Sequence, residues 1–126
     1  MYDEASDTFK TISKIGSGFS EEELKRLKAM LDEIKIPHKP ARVDSVIEPD
    51  VWVEPRYVVT VMADEITRSP SHTAGKSAVD GNEEPGYALR FPRAQGFLRE
   101  DKRPEDATTV TEVIELYRMQ KNIKLQ

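Results

Sequence analysis

The sequence has no cysteine. That excludes a disulfide framework and makes an intracellular setting the default, cytoplasmic or, in a eukaryote, nuclear. It also has no apolar run near the roughly 18 residues that a membrane span requires. The opening MYDEASDTFK is polar and acidic, unlike a secretory leader. No internal repeat occurs. Histidine is limited to His38, in a proline-flanked turn, and His72, in a polar stretch. A zinc site needs about four ligands at set spacing, so no metal site is expected. Aromatics number only nine.

Charge, by contrast, is plentiful. Charged residues make up 33% of the 126 and hydrophobic ones 37%, with a net charge of -4. The length fits one domain, residues 1–126, with a modest core. The mixture of Glu, Lys and Arg suggests a surface laced with ion pairs, a thermophile-like habit. The acidic balance argues against indiscriminate nucleic-acid binding. Yet Leu89–Arg103 holds five basic residues (Arg90, Arg93, Arg99, Lys102, Arg103) against two acidic ones, Glu100 and Asp101. A polyanion would meet the chain here.

DTFKTISKI alternates loosely as a strand, with Phe9, Thr11 and Ile15 on one face, and GSG (Gly16–Gly18) ends it. FSEEELKRLKAMLDEI predicts a helix. Ser20 and Glu23 form a capping box, Phe19 and Leu24 a hydrophobic staple, and Leu24, Leu27, Met30, Leu31 and Ile34 share one face. VWVEPRYVVTVMADEIT predicts one or two strands, with Pro55 at an edge or bend. RSPSHTAGKSAVDGNEEPG predicts a long polar loop. YALRFPRAQGFLRED returns to strand character, broken by Pro92 and Gly96. TTVTEVIELYRMQKNI predicts a second helix, capped by Thr109 and Glu112, with Val110, Val113, Ile114 and Tyr117 as its buried stripe. Short strands without regular βα alternation suggest a mainly β, OB-like barrel with an inserted helix and a C-terminal helix.

Few stretches carry chemistry. AGKS (Ala74–Ser77) resembles the end of a phosphate-binding loop, but the glycine required five positions before Gly75 is replaced by Pro70. It reads as a mobile loop. GSGF reads as a turn, and Trp52, among valines, as core. Arg90–Lys102 has two readings. By spacing alone it is a strand pair with a solvated basic face and Phe91 and Phe97 buried. Alternatively, its arginine forks bind phosphate and its aromatics contact nucleotides.

LRFPRAQGFLREDKRPEDATT (Leu89–Thr109) resembles the C-terminal motif of ATP-dependent DNA ligases, especially the archaeal and eukaryotic replicative type. KIGSGF with its acidic helix, VWVEPRYVVTVMADEITRSP and TEVIELYRMQK resemble further blocks of the same ligases' C-terminal OB domain, in the same order. The REDK block alone is also similar to mRNA capping enzymes, but RFPR is not.

The resemblance implies a division of labour. Such ligases place a DNA-binding domain and an adenylation domain before the OB domain, and the adenylation domain carries the Lys-x-Asp-Gly lysine that takes AMP from ATP. No such motif occurs here; Ala78 stands two places before Asp80. The chain is therefore expected to be the last domain alone, Met1 being an introduced start, and inactive by itself. The resemblance implies ATP and Mg2+ as cofactors, held mainly by the adenylation domain. It implies nicked duplex DNA as partner, a monomer, and service in replication, repair and recombination. Arg99, Asp101 and Lys102 would act in catalysis, with Arg99 and Lys102 facing the nucleotide's β,γ-phosphates in a closed pose. In a second pose Arg90, Phe91 and Arg93 would meet the minor groove at the nick, Arg90 and Arg93 binding phosphate or else an acidic group on the adenylation domain, with Gly16 and Gly18 in a turn near DNA. Alternation also puts Phe91 on the face of Tyr87 and Leu89, where it would be partly core. The last helix, with Arg118, Lys121 and Lys124, either docks on the adenylation domain or covers one barrel end. The alternative function is a freestanding OB module for single-stranded nucleic acid, a role that needs several exposed aromatics.

Overall fold

The computed structural model describes residues 1–79 and 82–125, with side chains described for 1–76 and 84–120. Strands β1 (Tyr2–Asp3) and β2 (Thr8–Lys10) precede helix α1 (Glu21–Asp32). Short strands β3 (Lys35–Ile36), β4 (Val43–Asp44) and β5 (Trp52–Val53) follow. The longer ones are β6 (Val58–Met62), β7 (Glu65–Ser69), β10 (Gly86–Arg90) and β11 (Arg93–Arg99), with β8 (Ser77–Val79) and β9 (Asn82–Glu84) between β7 and β10. A 3-10 turn at Pro104–Asp106 leads into helix α2 (Val110–Leu125). The fold is mainly β and OB-like, with one helix inserted after β2 and one at the end. Ladders run β1-β2-β4, β3-β5, β6-β11, β7-β10 and β8-β9; β2 and β4 are parallel and the rest antiparallel.

Three strands, not one or two, occupy the stretch from Val51 to Thr67, and Pro55 falls in the gap between β5 and β6, where its missing N–H breaks no ladder. The first strand is shorter than the alternation suggested: β2 stops at Lys10. Beyond it the Thr11 and Ile12 carbonyls turn to Ala74 and Leu89, accepting from their N–H groups at 3.0 and 3.1 Å.

Both helix starts follow their capping boxes. Glu23 N donates to Ser20 Oγ at 3.1 Å and Ser20 N to Glu23 Oε1 at 2.9 Å. Glu112 N donates to Thr109 Oγ1 at 3.2 Å and Thr109 N to Glu112 Oε1 at 3.1 Å. Each such cap contributes about 1 kcal/mol. The stripe of α1, however, is poorly covered. No residue within α1 is buried, and Leu24 is 48% exposed; only Ile34, just beyond the helix, enters the core. The stripe faces Val51 and Val53, and a two-residue strand is too short to cover three helical turns. The α2 stripe fares better: Val110 and Val113 are buried, and Tyr117 meets Tyr87 of β10 edge-on at 5.1 Å. Gln120 adds a second tie to the barrel. Its amide nitrogen donates to the Ile66 carbonyl and its oxygen accepts from Ile66 N, both at 2.8 Å. The helix thus covers the barrel; the side chains of Lys121 and Lys124 lie outside the described residues.

The stretch expected to be a long loop is corrected. It holds the end of β7 and the paired strands β8 and β9, and the first residue of AGKS is packed inside. Ala74 is fully buried, Thr73 nearly so, and His72 only 9% exposed. Small polar residues can be buried when their hydrogen bonds are met. Thr73 N donates to Thr11 Oγ1 at 3.1 Å, and Thr73 Oγ1 donates to the Asp44 carbonyl at 2.6 Å while accepting from Thr11 N at 3.0 Å. Tyr87 N donates to the Ala74 carbonyl at 2.8 Å. His72–Ala74 therefore ties β10 to the segment after β2. Burial, aided by the charge of Lys14, holds the His72 imidazole below its usual range, and its Nδ1 has no partner among the described residues. Trp52, read as core, is half-buried.

Candidate functional site

The basic segment forms two groups at opposite ends of β11. The first is a corner. Because β6 pairs with β11 and β7 with β10, the Ala63–Asp64 and Phe91–Pro92 connections lie side by side, with Arg90 opposite Glu65 and Arg93 opposite Met62. Asp64 N donates to the Arg90 carbonyl at 2.9 Å, tying the two turns together.

Phe91 stands at the tip. It has φ +53° and is 62% exposed. Its left-handed backbone takes it off the alternation of Tyr87 and Leu89, so the core reading of Phe91 is wrong. A left-handed conformation is rare for a bulky side chain, and a following proline narrows the choice further. Such a conformation costs of order 1–3 kcal/mol and persists only when neighbours impose it. The neighbours are visible. Arg90 lays its guanidinium over the Phe91 ring at 5.0 Å, and Arg93 Nη1 donates to the Phe91 carbonyl at 3.0 Å. Arg90 in turn pairs with Glu65 at 2.6 Å and Arg93 with Asp64 at 3.1 Å. The sequence reading missed Asp64 and Glu65. Their signal was an acidic pair at a strand-to-strand turn.

The second group lies at the far end, some 20 Å along a strand of this length. Arg99 holds Asp101 with both prongs, at 2.8 and 2.7 Å, and its Nη1 reaches Thr60 Oγ1 at 3.5 Å. That hydrogen-bonded fork holds the Asp101 carboxyl down at about 2 and raises the Arg99 guanidinium. Lys102 is exposed and has no ion-pair partner among the described residues. Arg103 is occupied by Asp106, at 3.3 Å, at the start of the 3-10 turn.

A bulge separates the groups. The β6-β11 register shifts between Ala94 and Leu98, with Gly96 at φ +76°. Phe97 is half-buried there, edge-on to Phe19 at 6.1 Å and under Arg26 at 4.8 Å.

The GSG turn packs on the start of β11, where Ala94 N donates to the Ser17 carbonyl at 2.9 Å. Gly18 and Gly16 differ sharply. Gly18 has φ +103°, and a Cβ there would fall on the Ala94 backbone. A Cβ on Gly16 meets open space. Gly18→Ala is expected to destabilise by roughly 2–4 kcal/mol, and Gly16→Ala to stay within about 0.5 kcal/mol. Thermal denaturation of the two variants checks this; equal shifts would mean that the turn is not seated on β11 as described. No group of three or more metal-ligating side chains occurs among the described residues.

The comparisons agree with the motif blocks. Residues 1–102 match the family model for the ATP dependent DNA ligase C terminal region. The chain is 60% identical over 126 residues to a probable DNA ligase of Dictyoglomus thermophilum, covering 100% of this chain and 21% of that protein. It is 51% identical over 124 residues to a DNA ligase of Caldivirga maquilingensis, covering 98% of this chain and 20% of that protein. It is 48% identical over 125 residues to a probable DNA ligase of Aquifex aeolicus, covering 99% and 21%. The chain thus spans about one fifth of the length of the curated relatives it matches. With the ligase motif, the OB-like fold and these matches in agreement, the chain belongs to the family of C-terminal regions of ATP-dependent DNA ligases.

Proposed function

We propose that this chain is the mobile OB domain of an ATP-dependent DNA ligase and works in two poses. In the closed pose the Arg99 end of β11 faces the β,γ-phosphates of ATP on the adenylation domain. Asp101 stays ionised and holds the planar Arg99 fork in one orientation. Lys102 brings a charge that no carboxylate neutralises directly. Cations placed where charge develops on departing pyrophosphate stabilise an in-line displacement. Bound ATP would supply the AMP, and Mg2+, held mainly by the adenylation domain, would neutralise phosphate charge.

In the second pose the Phe91 end meets nicked duplex. An exposed ring beside a break wedges against the sugars and favours a widened minor groove. The GSG turn flanks this end, and the open face of Gly16 leaves room for a DNA backbone.

The observation that carries the proposal is the separation of the two groups by the length of β11. Groups this far apart on one domain do not reach the same phosphates together, which supports a reading in which they are presented in turn. A freestanding module for single strands is less well supported. Phe91 is the one exposed aromatic of the nine, and a stacking platform needs several.

The test removes the matched C-terminal fifth from the Dictyoglomus thermophilum ligase and restores it with this chain, added separately or joined covalently. AMP transfer from labelled ATP is expected to return, while the chain alone labels nothing. A folded, covalently joined chain that fails to restore transfer would remove the closed pose.

A further inference from the structure

We propose that Asp64 and Glu65 are positioning residues that hold Phe91 in its exposed, left-handed conformation by anchoring the two arginines that clamp it. The proposal rests on the reading of Phe91 as the group presented to the nick.

The clamp has three layers. Phe91 is held at the ring by Arg90 and at the carbonyl by Arg93. Each arginine is fixed by one carboxylate, Glu65 at 2.6 Å and Asp64 at 3.1 Å. Glu65 is the cross-strand partner of Arg90, so the ladder itself sets that pair. The two turns are joined besides by the backbone bond from Asp64 N to the Arg90 carbonyl, which survives a change of side chain.

Global stability explains little of the Arg93–Asp64 pair, whose side chains are 44% and 56% exposed. Glu65 is only 20% exposed, so its pair with Arg90 is partly covered and ties that carboxylate more firmly to the corner. Attraction of a polyanion does not explain the pairs. Each arginine is already paired with a carboxylate, and a phosphate would have to displace that carboxylate from either one. What the pairs do is local: with the β7-β10 ladder and the Asp64 N–Arg90 carbonyl bond, they help hold a backbone conformation that an aromatic residue before proline otherwise avoids.

Opposite signs follow for two measurements. Glu65→Gln and Asp64→Asn keep side-chain shape and remove negative charge. A purely electrostatic role makes both variants bind duplex more tightly and seal at least as well. A positioning role makes them bind duplex more tightly but seal worse.

The experiment uses this chain as the C-terminal region of the Dictyoglomus thermophilum ligase, with 4-fluorophenylalanine at position 91. The 19F resonance reports the ring, a pre-adenylated nicked duplex reports sealing, and an intact duplex reports general binding. In Glu65→Gln/Asp64→Asn the resonance is expected to move toward that of the free amino acid. Sealing should fall about tenfold, while intact-duplex affinity rises and its salt dependence steepens. Arg93→Gln breaks the same clamp from the other side; it should move the resonance likewise but weaken duplex binding. An unmoved resonance, or sealing that rises with duplex affinity, would overturn the proposal. If instead Phe91→Ala itself leaves sealing intact, the nick-facing role fails, and the 19F arm still decides the anchoring.

Discussion

Phe91→Ala is expected to slow sealing of pre-adenylated nicks about 100-fold, the scale on which misplacement of reacting groups is felt, while leaving self-adenylation unchanged. The ring is largely in solvent and makes no contact near Arg99, so its removal does not disturb the phosphate-facing end. It also removes little buried surface, so stability should shift by no more than about 0.5 kcal/mol. Single-turnover assays of the two steps, with a parallel melting curve, separate the possibilities. Equal losses in both steps together with a lower melting point would make Phe91 a packing residue after all.

The opposite pattern is expected at the other end of β11. Arg99→Ala or Lys102→Ala should lower AMP transfer from ATP by about 100- to 1000-fold, as loss of one preorganised donor commonly does, and should affect sealing of pre-adenylated nicks less. The Arg99–Asp101 pair has a defined pH window. Because the folded-state carboxyl is depressed to about 2, the pair's contribution is fully present above the ordinary carboxylate value near 3.9. It is lost only as pH falls through about 2. The pair therefore does not titrate in the neutral range, and the adenylation profile of the Arg99 variant should run parallel to the parent's there. A profile that shifts with the substitution, or equal losses in both steps, would contradict the two-pose assignment.

Local signals were the legible ones. Ser20 with Glu23 and Thr109 with Glu112 announced both helices, because capping is a contact between residues three apart. Pro55 and Pro92 announced breaks for an equally local reason. The motif order pointed to the family before any geometry. What stayed hidden was long-range. Thr73 and Ala74 look like loop residues, and only Thr11 and Asp44, distant in sequence, supply the hydrogen bonds that bury them. The exposure of Leu24 depends on the two-residue length of β5, which no periodicity shows. The backbone of Phe91 was misread for a related reason: alternation assumes that the strand continues, whereas the chain turns there against Asp64 and Glu65, some 26 positions earlier.

The Gln120 amide has a consequence of another kind. A strand whose backbone is left open invites pairing with another chain. At Ile66 a single side chain, donating and accepting as a neighbouring strand would, closes that opening on β7. Helix α2 is thus a lock on a sheet edge as well as a lid. It cannot leave the barrel without baring the Ile66 N–H and carbonyl, so any docking by this helix elsewhere is confined to its outward side, where Leu116, Arg118 and Met119 already face solvent.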